Sequence, residues 1–422
     1  TAELRLRAVL AVPAALAGRV AAEAAALPEG EGEQLLSRLL WQAEVPMACG
    51  GGACMGCAVP RKGGGQPWLA CRQGPALPLA EIDGGFLTPR AASVRKSGPA
   101  AAQKGEAAAT TQPVRQPATV GGMRLEAPIL LASGTFAYGD AFPGLLDLGE
   151  LGGIVVKGTT LEPRAGLPSP RMARVSAGWL NAIGLQNPGV EAVIREHLPP
   201  LREQRLAVLV NVAGESEEEL VAVARRLEEL RSDWPAGRLG LELNLSCPNV
   251  ERGGLAFGAD PESVRRVTAQ VRRATHLPLW VKLTAHTADV TATARAAEEA
   301  GADAVTAINT LVGMRIDVRR RQPALAAGTG GLSGPAIHPV AVAAVWRIAQ
   351  AVRIPVIGSG GVSGWQEAAE FILAGASAVQ VGSATFDQPL AAREIARGLE
   401  EWVRTQGASD WKELIGACAL PS

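Results

Sequence analysis

The sequence lacks a net charge and lacks long apolar runs, and both absences exclude classes of function. Lys plus Arg and Asp plus Glu each number 41 in 422 residues, so no net field draws the chain towards nucleic acid or an anionic membrane surface. No run of about 18 apolar residues is free of charge, because even the alanine-rich start contains Arg7, Arg19 and Glu23. We therefore expect no nucleic-acid binding, no membrane span and no signal peptide.

Cysteine and histidine are also scarce. Four of the six cysteines lie close together, whereas Cys247 and Cys418 are isolated, which is typical of a protein from a reducing compartment such as the cytoplasm. The 47% of hydrophobic residues in so long a chain predicts a globular protein of two or more domains. The four histidines show no metal-ligand spacing, and we expect them in surface or loop positions: His197, His276, His286 and His338.

The four clustered cysteines form a specific motif. Cys49, Cys54, Cys57 and Cys71 follow the spacing C-x4-C-x2-C…C, which is typical of proteins that bind a [2Fe-2S] cluster through four thiolates. Glycines at 50, 51, 52 and 56 allow tight turns, so that amide N–H groups can face the cluster sulfurs. A structural zinc site and two disulfides are the alternatives, but zinc ribbons usually contain two C-x2-C pairs and this run contains one.

A segment of low hydrophobicity divides the chain. Residues 88–118 contain almost no large apolar side chain and no periodicity, so they cannot bury enough surface to offset the entropy of ordering. We interpret them as a flexible linker, with an exposed helix in the part rich in Ala, Gln and Lys as the alternative. The predicted domains are therefore a cysteine-containing module at 1–87 and a second domain at 119–422.

After the linker, short apolar runs alternate with amphipathic stretches. Candidate strands are PILLASGT, GGIVVKGTT, AVLVNVAG, LGLELNLSC, PLWVKLTA, AVTAINT, PVIGSGG and AVQVGSATF. Candidate helices are Glu217–Leu230, Pro261–Thr275, Val290–Ala300, Pro339–Ala351, Gly364–Ala374 and Ala391–Thr405. This order predicts an α/β fold, the (β/α)8 TIM barrel. A doubly wound open sheet is the alternative, but no G-x-G-x-x-G separates a strand from a helix.

Every candidate strand has a polar residue or glycine at its C-terminal end, the barrel end where TIM-barrel enzymes place their active sites. Glycines after the last two strands predict a phosphate site, because their backbone amides can approach a ligand closely. Lys157 and Lys282 need anionic partners, and a flavin that gains negative charge on reduction would supply one. The structural alternative is that each lysine forms a buried ion pair with a carboxylate of the chain. Together these strand ends favour FMN: Ser133, Lys157, Asn211, Asn244, Lys282, Asn309, Gly360, Gly361, Gly382 and Ser383.

The segment NLSCPNV at the end of the fourth strand contains the candidate catalytic group. A thiolate at Cys247 can act as a general base once its pKa falls, and the amides of Asn244 and Asn249 can hold a planar polar substrate. This combination suits proton abstraction next to a carbonyl. A buried apolar cysteine is the structural alternative.

These segments resemble those of a known family. APILLASGTF, VVKGTT, WLNAIGLQNPG, NLSCPN, VKL, INT, GGLSGPAI, IGSGGV and QVGSATF stand in the order that is typical of class 1B dihydroorotate dehydrogenases. The second domain resembles the catalytic subunit of that family, and residues 1–87 resemble the C-terminal [2Fe-2S] part of its electron-transfer subunit. The resemblance implies an FMN-binding TIM barrel that oxidises (S)-dihydroorotate to orotate in de novo pyrimidine biosynthesis.

The resemblance also implies roles for individual residues. Cys247 matches the family's base, which takes a proton from C5 of dihydroorotate while a hydride leaves C6 for the flavin N5. The implied substrate contacts are Lys157, Asn181, Ala182, Ile183, Gly184, Leu185, Asn244, Asn309 and Thr310, and Asn187 and Asn249 are also expected to line the pocket. The implied FMN contacts are Ser133, Lys157, Gly158, Asn211, Asn244, Lys282, Ile308, Gly334, Gly360, Gly361, Gly382 and Ser383.

The chain departs from the family pattern in its domain arrangement. Class 1B enzymes consist of two chains, whereas here the cysteine module precedes the barrel, which we interpret as a fusion. The 48 residues before Cys49 are too few for the family's FAD- and NAD-binding domains, and residue 1 is Thr. We therefore expect FAD and NAD on a partner or on a missing upstream segment, and a homo-oligomer formed through the barrel. The functional alternatives are a flavin barrel acting on another dihydropyrimidine and an electron carrier without catalysis.

Overall fold

The computed structural model describes residues 117–139, 147–204, 206–245 and 258–419, together with the backbone of two short strands, Ala58–Val59 and Trp68–Leu69. The chain divides into two compact units, Thr1–Arg115 and Gln116–Ser422. In the first unit the two short strands pair antiparallel. Several predicted site residues lie outside the described residues: Cys49, Cys54, Cys57, Cys71, Cys247 and Asn249.

The second unit contains a closed barrel of eight parallel strands that neighbour one another in chain order. They are β1 (Ile129–Leu131), β2 (Gly153–Thr159), β3 (Ala207–Val212), β4 (Leu239–Asn244), β5 (Leu279–Leu283), β6 (Ala304–Ala307), β7 (Val356–Ser359) and β8 (Ala376–Val381). Strand β8 pairs with β1, which closes the barrel. Both faces of a strand such as AVLVNV are buried, because inner side chains fill the barrel and outer ones pack under helices. The predicted TIM barrel is confirmed, and the open sheet is wrong.

Six helices of nine or more residues occur in the described part of this unit. They are α1 (Glu217–Glu228), α2 (Pro261–Ala274), α3 (Val290–Glu299), α4 (His338–Ala349), α5 (Trp365–Leu373) and α6 (Ala391–Thr405), each within two residues of its predicted bounds. Ser216, Asp260 and Asp289 precede α1, α2 and α3, and their side-chain oxygens accept backbone N–H groups of the first turn.

Shorter helical segments are Leu148–Glu150, Val190–Ala192, Val193–His197, Leu198–Arg202, Arg231–Asp233, Pro335–Ile337, Ala384–Asp387 and Trp411–Leu414. None of the helices described is long and apolar enough to cross a membrane.

Two insertions after barrel strands form a separate sheet that the sequence did not predict. Strands Met172–Val175 and Gly178–Asn181 follow β2, and strands Leu311–Met314 and Thr329–Ser333 follow β6. They pair into one antiparallel sheet of four strands, which we call the upper sheet. A hairpin of Ile316–Asp317 and Gln322–Pro323 extends the second insertion. Both insertions leave the carboxyl ends of barrel strands, so the upper sheet lies at the end where the site is predicted.

The opposite end of the barrel is closed by a hairpin of Ala118–Val120 and Met123–Leu125. Its turn requires glycine at Gly121, where φ is 50° and a Cβ would lie 2.6 Å from Nε1 of Trp280. That Nε1 donates a hydrogen bond to the Gly121 carbonyl oxygen at 2.9 Å. Met123 is fully buried. Packing therefore closes this end, and the polar strand ends stand at the other.

Candidate active site

Three asparagines meet at the carboxyl end of the barrel, and we call them the asparagine relay: Asn211, Asn244 and Asn309. Nδ2 of Asn244 lies 3.3 Å from Oδ1 of Asn211, and Nδ2 of Asn309 lies 3.3 Å from Oδ1 of Asn244. Oδ1 of Asn309 accepts the N–H of Thr310 at 2.7 Å. The relay spans strands from β3 to β6, and Asn244 and Asn309 are only half-buried. The structure thus brings four predicted ligand contacts together.

A fully buried carboxylate lies deeper in the barrel. Glu242 stands two residues before Asn244, so both side chains lie on the same face of β4. Four side chains from β3, β5, β8 and β6 donate to its two oxygens: Asn211 Nδ2 at 2.8 Å and Lys282 Nζ at 3.4 Å to Oε1, and Gln380 Nε2 at 2.6 Å and Thr306 Oγ1 at 3.1 Å to Oε2. The predicted FMN contacts Asn211 and Lys282 are therefore joined through one glutamate.

Sequence reasoning missed Glu242, Thr306 and Gln380. For Glu242 and Gln380 the signal was a charged or amide side chain inside an otherwise apolar run, as in LGLELN and AVQV, whereas Thr306 in AVTA gave no such signal. Such a side chain is buried only with hydrogen-bond partners, so its presence in a predicted barrel strand indicates a polar interior.

The loop after β7 contains the two glycines of the predicted phosphate site, and both have positive φ values. Gly360 and Gly361 have φ values of 135° and 72°, which favour glycine. A Cβ at Gly361 would lie 2.6 Å from Cβ of His338 and 2.8 Å from the carbonyl oxygen of Gly334, so the predicted glycine contacts pack closely together. Nδ1 of His338 lies 2.9 Å from the Gly360 carbonyl oxygen, and Nε2 lies 3.1 Å from Oε2 of Glu370.

His338 corrects one prediction. It is buried and begins α4, so the expected surface or loop position is wrong, and the side chain supports the glycine loop from behind. His276 and His286 do lie in loops, as predicted, and Nε2 of His286 accepts the N–H of Val312 at 2.7 Å. His197 ends the helical segment Val193–His197 and stacks on Tyr138.

The ends of β1, β2 and β8 also lie together. Oγ of Ser133 donates to the carbonyl oxygen of Val156, next to Lys157, at 3.1 Å. A Cβ at Gly382 would lie 3.5 Å from the Cβ of Ala132, which precedes Ser133. Ile308 follows β6 directly, and its N–H donates to the last residue of β7. The predicted FMN contacts therefore surround the barrel mouth.

The predicted substrate loop Asn181–Leu185 reaches the same place. A Cβ at Gly158 would lie 3.5 Å from Cδ2 of Leu185 and 3.2 Å from an oxygen of the asparagine relay. Nδ2 of Asn181 donates to the Gly331 carbonyl oxygen at 3.1 Å. A Cβ at Gly331 would lie 2.2 Å from Oγ1 of Thr310, so the upper sheet joins Asn181 to Thr310.

Asn187 makes its hydrogen bonds within the chain, next to the substrate loop. Its buried amide makes four hydrogen bonds within the chain, so it fixes the shape of the substrate loop: with Thr160 N at 3.2 Å, Thr160 Oγ1 at 2.7 Å, Leu185 O at 2.7 Å and Gly189 N at 2.9 Å. Arg171, also fully buried, donates to the Ile183 carbonyl oxygen at 3.3 Å and supports the loop from within.

A charge cluster anchors the outer side of this loop. The Arg164 guanidinium pairs with the carboxylates of Glu215 and Glu219, which follow β3. The backbone N–H of Arg164 donates to the Asn187 carbonyl oxygen at 2.9 Å. Burial, the largest single influence, lowers the pKa of Arg164, but the two carboxylates together outweigh it and raise that pKa. The guanidinium therefore stays charged and holds the loop against the barrel.

Within the described residues, no group of three or more His, Cys, Asp or Glu side chains is arranged to hold a metal ion. Cys418 is an exposed free thiol. The cluster prediction rests on cysteines outside the described ranges.

The second unit is thus a closed (β/α)8 barrel with the asparagine relay, a buried lysine and a glycine loop after β7. These features are those of a barrel that binds a phosphate-bearing cofactor. Residues 117–403 match the family described as dihydroorotate dehydrogenase. Residues 44–83 match the iron-sulfur cluster binding domain of dihydroorotate dehydrogenase B. The chain belongs to the dihydroorotate dehydrogenase family, and the resemblance found in the sequence is confirmed.

Relatives of known name agree with this assignment. The "Dihydroorotate dehydrogenase B (NAD(+)), catalytic subunit" of Geotalea uraniireducens (strain Rf4) is 50% identical over 298 residues, which are 71% of this chain and 96% of the relative. The protein of the same name from Bacteroides thetaiotaomicron is 45% identical over 71% of this chain and 97% of its own. A crystal structure of DHODH in complex with ferulenol from Eimeria tenella superposes with a TM-score of 0.60 at 22% identity, over 71% of this chain and 88% of that one. That likeness shows the fold.

Proposed function

We propose that this chain oxidises (S)-dihydroorotate to orotate in de novo pyrimidine biosynthesis. The observation that carries the proposal is the asparagine relay at the barrel mouth of a dihydroorotate dehydrogenase family member. Amide groups offer paired donors and acceptors, which suit the ring carbonyl and N–H groups of a planar pyrimidine. The names of the relatives support the same substrate.

The residues at the barrel mouth fit FMN. The glycines at 360 and 361 offer backbone amides to a phosphate, as barrels do after their seventh and eighth strands. Asn211, Asn244 and Lys282 offer amide and ammonium groups for the polar edge of a flavin. When bound there, FMN supplies the acceptor for the hydride that leaves C6 of dihydroorotate.

The chain supplies the proton acceptor and the binding groups. Cys247 as thiolate takes the proton from C5, so that the C5–C6 double bond of orotate forms as the hydride departs. Asn244, Asn309 and Thr310 bind the pyrimidine, and Lys157 with the loop Asn181–Leu185 completes the pocket. These assignments rest on the family pattern and on the proximity of the described members.

We also propose an electron path through the first unit. Cys49, Cys54, Cys57 and Cys71 hold a [2Fe-2S] cluster in the domain that matches at 44–83. The proposed arrangement is a cluster module at 1–87, a linker at 88–118 and the catalytic barrel at 119–422. Electrons leave the cluster for a partner protein, or an upstream segment, that binds FAD and NAD. We also expect the barrel to form a homo-oligomer and the protein to lie in the cytoplasm.

Anaerobic titration tests the function. Purified protein should contain FMN and two irons per cluster, and dihydroorotate should bleach the flavin absorbance. Dihydrouracil is the comparison substrate, because bleaching by it alone would indicate a barrel that acts on another dihydropyrimidine. Zinc in place of iron would contradict the cluster assignment but not the reaction.

A further inference from the structure

Glu242 has no direct part in the proposed reaction, and packing does not explain it. The side chain is fully buried, and burying a carboxylate costs free energy unless it is paired and hydrogen-bonded. Interior layers of TIM barrels are usually filled by branched apolar side chains. A glutamate at this position therefore calls for an explanation in terms of charge.

Two of the four side chains that contact Glu242 are Lys282 and Gln380, which also contact each other. Oε1 of Glu242 lies 3.4 Å from Nζ of Lys282, which is itself nearly fully buried. Nζ also lies 3.4 Å from Oε1 of Gln380, and Nε2 of Gln380 donates to Oε2 of Glu242 at 2.6 Å. The three side chains form a closed triangle of contacts. The position of the ammonium is thus fixed by Glu242 twice, directly and through Gln380.

We propose that Glu242 is a positioning residue that holds Lys282, offsets its charge and thereby sets the reduction potential of bound FMN. This inference rests on the FMN binding of the proposed function. Opposite charges in a buried pair are only weakly screened, so removing one exposes the field of the other. A flavin gains negative charge on reduction, and an ammonium without its carboxylate favours the reduced form. Glu242 therefore keeps the potential lower than Lys282 alone would set it.

The test is the potential of bound FMN, measured by equilibration with redox dyes in the absence of dihydroorotate. Glu242→Gln keeps the side-chain volume and removes the charge. We expect the ratio of affinities for reduced and oxidised FMN to rise at least tenfold, which is a positive shift of about 30 mV for a two-electron couple.

Two control variants separate charge from packing. Glu262→Gln makes the same substitution on the exposed side of α2, where Glu262 pairs with Arg265, and should leave the potential unchanged. Thr306→Val removes one hydrogen bond to Glu242 without changing any charge, and the shift should be well below that of Glu242→Gln. Equal shifts in Thr306→Val and Glu242→Gln would overturn the proposal.

A variant pair covers the case in which Glu242→Gln does not fold. Lys282→Met leaves the Glu242 carboxylate without its ammonium and should lower the potential, whereas the double variant Lys282→Met with Glu242→Gln leaves no unpaired buried charge and should return the potential towards the parent value. Equal potentials in these two variants would overturn the proposal. A parent protein that binds no FMN would instead overturn the proposed function.

Discussion

At the scale of single residues, the proposed reaction depends on one proton acceptor. Cys247 follows Asn244, the last residue of β4, by three positions. A thiol loses its proton far more readily than a hydroxyl does. We therefore predict that Cys247→Ser slows the reduction of bound flavin by dihydroorotate at least about a hundredfold near neutral pH, with partial recovery at high pH. Anaerobic stopped-flow absorbance measures this rate.

The chain offers a matched control for that substitution. Cys418→Ser makes the same atomic change at an exposed thiol and should leave the rate unchanged. If Cys247→Ser and the parent reduced flavin equally fast at every pH, Cys247 would be a packing residue.

Residue type alone does not decide the role of a polar side chain, as the asparagines show. Asn187 and Asn211 were both predicted at the site; the amide of Asn187 bonds to Thr160, Leu185 and Gly189, whereas that of Asn211 bonds to Glu242 and Asn244. The difference depends on which backbone groups the fold brings within reach, and spacing along the chain does not contain that information. His338 was misplaced for the same reason, since its partners Gly360 and Glu370 come from other elements.

At the scale of elements, the barrel could be predicted and the upper sheet could not. Strands buried on both faces give continuous apolar runs, and the helices give a clear helical period, so both appear in the local sequence. Strands such as Met172–Val175 and Thr329–Ser333 are short, only partly buried, and paired within a sheet that joins distant parts of the chain. Their existence depends on tertiary pairing, and the predicted strand ends gave no sign of it.

The end of α1 offers a test of how loops are held to the barrel. The Glu228 carboxylate accepts Oγ1–H of Thr275 and the N–H of His276, both at 2.8 Å, just before β5. Burial is the largest single influence and by itself would raise the pKa of Glu228. The two hydrogen bonds, together with those from the His276 side chain and the Leu277 N–H, outweigh burial, so the pKa of Glu228 is lowered overall. A carboxylate whose pKa is lower in the folded state stabilises the fold above its ordinary pKa, and this contribution is lost as the pH falls through the folded-state value.

We therefore predict that Glu228→Gln lowers the free energy of unfolding at neutral pH. The difference from the parent should shrink as the pH falls below the ordinary pKa of glutamate, and denaturant unfolding at a series of pH values measures it. Glu229→Gln is the control, because Glu229 is adjacent on the same helix end and pairs with Arg226 at the surface. It should have the smaller effect at neutral pH. A pH-independent difference for Glu228→Gln would contradict the assigned role of its charge.

At the scale of the whole molecule, the chain combines a complete catalytic barrel with an iron–sulfur domain. The family match at 117–403 lies within the unit Gln116–Ser422, and the iron–sulfur match at 44–83 lies within the unit Thr1–Arg115. Oxidation of substrate and onward transfer of electrons are thus assigned to different units. Substitutions in one unit should separate the two activities.

This separation predicts where electrons stop in a polypeptide of residues 1–422. The 48 residues before Cys49 are fewer than a typical domain, so they cannot form the FAD- and NAD-binding domains of an electron-transfer subunit. With dihydroorotate as donor, the purified polypeptide should reduce artificial dyes rapidly and NAD hardly at all, and an FAD-containing partner should restore NAD reduction.

Cys54→Ser should remove the cluster and abolish the partner-dependent reaction, while flavin bleaching by dihydroorotate persists because the barrel is intact. Absorbance of dye and of NADH measures both rates, and NAD reduction as fast as dye reduction would reveal a nucleotide site within residues 1–422.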